Sequence, residues 1–554
     1  MPSTPTSKSQ VQAYRFVLRR MESALVRKDP VMLHDPMRSH KRSTIVGVIL
    51  GVVGLVVFVL IGVLNPAPPV PASGIVIAEP SSTIYVVSQN PHEFIPVFNL
   101  ASARLLLAAT TANQQSGAST QGQGQAPAVV QPTIVQDSQL KSMPMGRMTG
   151  IPLGPTVLPN PGAAPTDWAV CDKIPRDVNA NVQTGHTPPQ TTAIVGEPNI
   201  GTNLPAGKAL LVSNDGGKTL FLVYGLASTA NNRDDSAVRA QIDTTDPAVL
   251  GGLLITGATP YRVVSTAVLN AIPTVGEIRN PSFGLDGNQP VAAALAQAGV
   301  KMGQSFSVQE IGNATLNYYI AVPGGKQAVS ATVAQIARHE NSGTQADITQ
   351  VAPQAGDTVP TVIAPSTSGL NVDVSQYPDA VPAVITADTD PVMCLGWRAD
   401  YTDKQKPLVK TRVTVDFDLQ MPVDTNSPTG HMTPVQIGQG TSAGKIDYFF
   451  MNPAIGGVAI RSANSAKQFA NGPIYVIDPS GVAFSVPDVH TAQVLGIADA
   501  TPSGNVPPAP ASIAGLLPLG GEPLDIQSVQ KTFDSMQVPT NVGQYMVPTT
   551  QPGS

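Results

Sequence analysis

Charge is scarce in this chain of 554 residues: Asp, Glu, Lys and Arg make up 12 % of it, about half the share of an average globular domain. Basic clusters interleaved with aromatics are missing, so nothing supports a nucleic-acid surface. The seven histidines (His34, His40, His92, His186, His339, His431 and His490) each lack a second His or Cys at ligand spacing, and no metal or other cofactor is expected. His339-Glu340 has no second histidine to complete H-E-x-x-H. A phosphate loop is missing too. Gly217-Lys218-Thr219 ends like one, but Val212 stands where its first glycine belongs and the segment reads as a hairpin turn. Gly207-Lys208 and Gly325-Lys326 fail in the same way. Gly440-Thr441-Ser442-Ala443-Gly444 matches G-x-S-x-G by letter, yet Lys445 to Phe450 reads as a strand where a nucleophile elbow needs a helix. Asn313-Ala314-Thr315 is a glycosylation sequon by letter only. No catalytic residue is expected.

What is present begins with 21 uncharged residues from Thr44 to Leu64 (TIVGVILGVVGLVVFVLIGVL). At 1.5 Å per residue they reach roughly 30 Å, the thickness of a bilayer's hydrocarbon core. A buried core helix apolar on every face does not suit so polar a neighbourhood. A cleaved signal peptide does not suit a run preceded by 43 residues and followed by Asn65-Pro66-Ala67-Pro68-Pro69. An uncleaved single-pass anchor is expected over 43–65. Residues 1–42 hold nine Lys/Arg against Glu22, Asp29 and Asp35, a net of +6; the whole chain is −5, so the remainder carries −11. Arg38, Lys41 and Arg42 flank the span. Basic flanks stay in the cytoplasm, so the N-terminus is expected inside and the acidic bulk in the periplasm.

The cytoplasmic segment carries an amphipathic helix. Ser9 and Gln12 fit a capping box, and Tyr14, Val17, Leu18, Met21 and Leu25 recur at helical spacing up to about Lys28. An isolated helix of that length is marginal, so its stripe must bury on something: anionic lipid, or a partner at the inner face, the reading favoured here.

Glycine and proline number 49 and 53, a turn-rich composition suited to exported β-containing domains. One pattern recurs: a β-branched or aromatic run, a turn, a second short run, and an apolar helical stretch. It appears at Ile84–Ser88 with Phe94–Phe98 and the helix NLASARLLLA. It returns at Tyr318–Val322 with Gln327–Val329 and ATVAQIARH, and at Ile474–Asp478 with Val482–Val486 and VHTAQVLGI. A diverged copy runs from Leu210–Ser213 through the turn Asn214–Gly217 and Thr219–Gly225 to a helix in VSTAVLNAIP beginning at Val264. The expected boundaries are 66–158, 206–280, 300–350 and 466–525 for four repeat units, and 159–205 with 355–465 for a central domain. Residues 114–132 read as a flexible loop, 501–510 as a Pro-rich connector and 526–554 as a disordered tail.

Cys171 and Cys394, the only cysteines, both lie on the exported side, each three residues from a tryptophan (Trp168, Trp397). An even pair outside the cytosol favours a disulfide over two unrelated buried thiols. A bridge would close a loop of over 200 residues, constraining the unfolded chain by about 5 kcal/mol in the loop-entropy model. The fold class expected is α+β: an amphipathic helix, one transmembrane helix, then an elongated exported region of small hairpin/helix units flanking a disulfide-closed centre.

These landmarks resemble the EccB family, the membrane-anchored component of the type VII (ESX) secretion system of mycobacteria and related actinobacteria. The resemblance rests on Gln10-VQAYRFVLRRMESALVRKD29, Phe94-IPVFNLASARLLL107, Met143-PMGRMTGIPLGP155, Trp168-AVCD172, residues 309–335 and Tyr475-VIDPSGVAFSVP487. Leu153 and the Gln/Gly insertion at 114–126 depart from it. It implies a structural subunit of an inner-membrane export complex, associating with other copies of itself, the EccC motor ATPase, EccD, EccE and a mycosin protease. Some family members carry an ATPase label. A nucleotide hydrolase and a stand-alone cell-wall-binding protein are the competing readings.

Overall fold

In the computed structural model the described residues are 7–28, 36–64, 69–115, 129–175, 188–226, 237–281, 287–362, 373–438 and 446–531, less residues 90, 310, 313–314, 342–344, 401–402, 404–406, 420 and 429. The chain divides into two compact units, Met1–Pro69 and Val70–Ser554.

The first unit holds two helices. Helix α1 (Lys8–Arg27) starts at Ser7, not Ser9. The Ser7 hydroxyl accepts from Gln10 N at 3.4 Å and Gln10 Oε1 accepts from Ser7 N at 2.9 Å. This is the reciprocal capping box, two residues earlier than expected because Ser7 already has Gln three positions on. Lys28 ends the helix in a left-handed conformation. Helix α2 (Pro36–Leu64) contains the apolar span.

The described residues of the second unit form five sheets. In the first, β1 (Gly74–Glu79), β2 (Ile84–Gln89) and β3 (His92–Val97) form an antiparallel meander. Helix α3 (Leu100–Gln115) then crosses over to β4 (Thr133–Gln136), which pairs parallel to β1, and α4 (Asp137–Leu140) follows. Strands β5 (Asp167–Lys173), β6 (Gln190–Val195) and β7 (Thr202–Asn203) begin the central sheet. The same 3-2-1-4 strand order returns in β8 (Lys208–Ser213), β9 (Phe221–Gly225) and β10 (Ala237–Gln241), with α5 (Pro247–Gly252) leading to β11 (Arg262–Val263) and α6 (Thr266–Ala271). After α7 (Ala293–Gln297) it recurs in β12 (Ser305–Gln309), β13 (Leu316–Val322), β14 (Gly325–Val329), α8 (Ala331–Glu340), β15 (Thr349–Val351) and α9 (Pro353–Asp357). Strand β16 (Ala383–Val384) joins β8, and β17 (Val392–Asp400), β18 (Leu408–Asp416), β19 (Val435–Gln436) and β20 (Tyr448–Met451) complete the central sheet in the order β19-β20-β6-β5-β17-β18-β7. The fourth copy is β21 (Val458–Ala463), β22 (Ile474–Ile477), β23 (Ala483–Val486), α10 (Val489–Val494), β24 (Pro508–Pro510) and α11 (Ala511–Ala514), with α12 (Ile526–Val529) behind it.

The mixed α+β class is thus observed. The second copy differs from its expected register. Its Leu210–Gly225 hairpin is strands one and two, not two and three, and the stretch from Val264 follows the end of β11 and holds α6, while α5 makes the crossover. The Asp-Gly-Gly turn chemistry drew the alignment one strand too early. Strand β21 begins at Val458, inside the span expected for the central domain, and the third copy runs on through α9 to a bridge at Thr361.

Packing follows strand alternation. Leu210 and Val212 face a core shared with the central sheet, whereas Ala209 and Leu211 face one shared with Ile320, Val322, Val333 and Ile336 of the third copy. Val458, Ile460 and Ile477 of the fourth copy join the central core, and Val476, Phe484 and Val486 meet Ile75, Val86 and Leu105 of the first. The order in space is third, second, central, fourth, first.

Helices α5 and α8 approach so closely that a Cβ on Gly252 would stand 2.5 Å from Ile336 Cγ1 and 2.7 Å from its Cα. Because backbone is among the atoms met, relief requires the helices to part. Gly252→Val is expected to destabilise the chain by about 1–3 kcal/mol, read as a lower denaturation midpoint. Gly257→Ala, at a glycine with open space around it, should leave the midpoint in place.

Candidate functional site

The residues expected to dock and anchor lie in α1 and α2. Tyr14, Val17, Leu18, Met21 and Leu25 are between 45 and 81 % exposed, a continuous apolar stripe with nothing described against it. Arg42 is exposed, while the side chains of Arg38 and Lys41 lie outside the described residues. Within α2, Arg42–Ile61 is the one stretch among the described residues long and apolar enough to cross a membrane, and none of it is buried. Its backbone polar groups are satisfied within the helix, as a lipid environment requires.

In the second unit the central sheet brings two distant segments together. Strands β5 and β17 run antiparallel with Cys171 opposite Cys394 and Trp168 opposite Trp397. The cysteines are bonded across a separation of 223 residues, with Cα atoms 4.0 Å apart. Because side chains alternate along a strand, the three-residue spacing puts the two pairs on opposite faces. The disulfide packs with Ile194, Ile200 and Phe450, and the tryptophans enter the core shared with the second and fourth copies. Trp397 also meets the Phe469 ring edge-on at 6.2 Å.

Beside this pair lies a buried polar junction that residue patterns did not reveal. Asp172 on β5 is 1 % exposed and Arg262 on β11 is 3 % exposed. One Asp172 oxygen accepts from Thr191 Oγ1 at 2.8 Å and the other from Ser265 N at 2.6 Å, and Ser265 is the N-cap of α6. Arg262 donates through Nη2 to the Asp390 and Thr386 carbonyls, while its Nε and Nη1 are buried without an acceptor. The carboxylate thus ties the central sheet to the second copy. Burial pushes the Asp172 pKa from 3.8 up to about 6, opposed by the hydrogen bonds from Ser265 and Thr191 and by the Arg262 charge. Burial also draws Arg262 down to about 10, against the pull of Asp390 and Asp172. Only the DWAVCD context marked this position in the sequence, and there the cysteine drew attention first.

The motifs set aside earlier have structural roles. Lys218 lies in the β8–β9 turn, whose amides are already engaged: Thr219 N donates to Asp215 Oδ1 at 3.0 Å and Gly217 N to Ser213 Oγ at 2.9 Å. Lys326 is buried, with Nζ donating to Gly356 O at 2.8 Å and lying 4.5 Å from the Tyr319 ring centroid. Gly440–Gly444 and Asn313 fall outside the described residues. Among the described residues no group of three His, Cys, Asp or Glu side chains could hold a metal ion.

Among the described residues, one apolar helix long enough to cross a membrane precedes a disulfide-closed sheet with four like-ordered neighbours, and comparison with known proteins gives the family. Residues 3–537 match the family described as type VII secretion system ESX-1, transport TM domain B; the chain belongs to the EccB family. It is 27 % identical over 500 residues to the ESX-1 secretion system ATPase EccB1 of Mycobacterium tuberculosis strain H37Rv, covering 89 % of each chain. To the ESX-3 secretion system ATPase EccB3 of Mycolicibacterium smegmatis it is 28 % identical over 406 residues, covering 71 % of this chain and 67 % of that protein. Among solved structures, a chain of an intact ESX-5 inner membrane complex shares the fold over 99 % of both chains, with a TM-score of 0.60 and 21 % identity. The EccB3 dimer from an ESX-3 core complex does so over 83 % of this chain and all of that one, at 0.59 and 22 %.

Two outcomes are expected at the central sheet. Replacing Cys171 and Cys394 together with alanine should lower the denaturation midpoint and abolish the mobility difference between reduced and non-reduced gels. A stability loss of roughly 2–5 kcal/mol is the expected scale for a native disulfide of an exported protein. For Asp172, a raised pKa means that the folded state holds the proton more tightly than the unfolded state. Its contribution is therefore most favourable below about pH 4 and declines as pH rises to about 6. Asp172→Asn should remove this slope: relative to the parent, the variant gains stability from pH 4 to pH 6.5 in paired thermal melts.

Proposed function

We propose that this chain is a structural subunit of a type VII (ESX) inner-membrane complex. It docks on cytoplasmic partners through α1, crosses the membrane once through α2, and builds a periplasmic assembly from its remaining residues that supports protein export. The family match over residues 3–537 carries this reading. The exposed α1 stripe and the excess of basic residues before the span support its orientation and docking. The structural neighbours come from an inner membrane complex, a periplasmic assembly and a dimer. The partners we assign are other copies of this chain, EccC, EccD, EccE and a mycosin protease.

Within the periplasmic part, the four sheets of common strand order serve as repeat units on either side of the disulfide-closed central sheet. Proposed boundaries are 66–158, 206–280, 300–350 and 466–525, with the fourth unit starting at Val458 once β21 is counted in. A second reading comes from the relatives, which are named as ATPases. ATP turnover by the purified full chain, abolished by Lys218→Ala, would support it.

The docking role predicts that Leu18→Asp with Met21→Asp removes most co-purification of membrane partners in mild detergent and most export, while the chain still fractionates with membranes. Glu22→Gln, off the stripe, should retain both. If the double variant assembles and secretes like the parent, α1 does not dock the complex.

A further inference from the structure

At the rim of the core shared by the first and fourth copies lies a cavity of about 320 Å³, lined mainly by Gly74, Arg104, Leu107, Ala108, Val130 and Val494. Its walls are mostly apolar, and its one charged lining residue is Arg104. This arginine belongs to the NLASARLLL run, in a helix whose neighbours Ala103, Leu105 and Leu106 are buried in that core. Its Nη1 donates to the Leu495 carbonyl, and Gly496, at φ +72°, stands so near that a Cβ there would come within 2.6 Å of Nη1. The Nε is buried and has no acceptor. Among the described residues no carboxylate pairs with it: burial alone draws its pKa down, and no opposite charge holds it up. A half-desolvated guanidinium without a counter-charge is unfavourable, and stapling the two copies together through one carbonyl uses only one of its five N–H groups.

We propose that this cavity binds a single-chain anionic amphiphile, its hydrocarbon tail between Leu107, Ala108, Val130 and Val494 and its head group on Arg104. The two halves of that ligand answer the two halves of the site. Apolar walls gain from displacing water in rough proportion to the area covered. A planar guanidinium matches a carboxylate fork better than any neutral head. The volume is about twice the ~150 Å³ of an engineered cavity that accepts benzene, which leaves room for a chain of roughly ten to twelve carbons. It also falls within the ~300–1,000 Å³ typical of small-molecule sites. Chain connectivity favours a membrane source: Gly74 follows Leu64, the end of the apolar helix, by ten residues.

The test uses the full chain in detergent-free amphipol, titrated with dodecanoate, dodecanol and dodecyltrimethylammonium and read by native mass spectrometry and calorimetry. Dodecanoate is expected to bind at least tenfold more tightly than the neutral and cationic probes. Arg104→Gln should reduce dodecanoate to the level of dodecanol, and Ala108→Phe, which fills the cavity from an accessible position, should abolish binding of all three. Should Arg104→Gln fail to fold, the ranking of the three probes on the parent and their loss from Ala108→Phe still decide the matter. Equal affinity for the three probes, or dodecanoate binding that survives Ala108→Phe, overturns the proposal. So does binding that appears only after deletion of residues 116–128, since the chain would then fill its own cavity.

Discussion

The pairing of β5 with β17 is the constraint on which the second unit depends. It joins the two halves of the central sheet: β6, β20 and β19 extend from β5, β18 and β7 from β17. The two strands are separated by the whole of the second and third copies, so a long loop must close before the pairing is rewarded. Cys171 and Cys394 lock that closure where it is most costly to make. The tryptophans opposite each other on the reverse face then form the floor against which the second and fourth copies pack. From this one pairing follow the two shared cores further out, since each flanking sheet is buried on both faces only when the central sheet is present.

That double burial also explains what could and could not be read from the residues. A strand with one wet face alternates, and its period is visible; β8 reads Lys-Ala-Leu-Leu-Val-Ser with five consecutive buried positions, because odd and even residues serve different cores. A continuous run of this kind identifies a strand without saying which strand of the unit it is, hence the one-strand slip in the second copy. The first and fourth strands of the first, third and fourth copies escaped notice for a related reason. They pair parallel across a helical crossover, and no turn signature links them as one links a hairpin.

By contrast, features set by composition were plainly legible. The apolar span needs no partner to be recognised, and the disulfide followed from compartment and count. The α1 helix was legible in its stripe, though its cap was displaced by two residues because two serines competed for the same role. The Asp172–Arg262 junction was not legible at all. Its partners lie on the central sheet and on the second copy, 90 residues apart in sequence, and become neighbours only through packing that no local pattern encodes. The same holds for the cavity beside Arg104. Its motif stood out in the sequence, but the carbonyl that holds the arginine comes from Leu495, 391 residues away.

The disulfide has a mechanical meaning as well. A pull applied between the membrane end of the chain and its C-terminal part is carried along the backbone to Cys171, across the sulfur–sulfur bond, and on from Cys394. The segment between them, a sequence separation of 223 residues that would pay out roughly 700–800 Å if drawn straight, lies outside that line of tension. The second and third copies therefore hang from the load path as a sheltered side branch, able to open or shift without lengthening the connection. The first and fourth, which bear on one another through a shared core, take the strain.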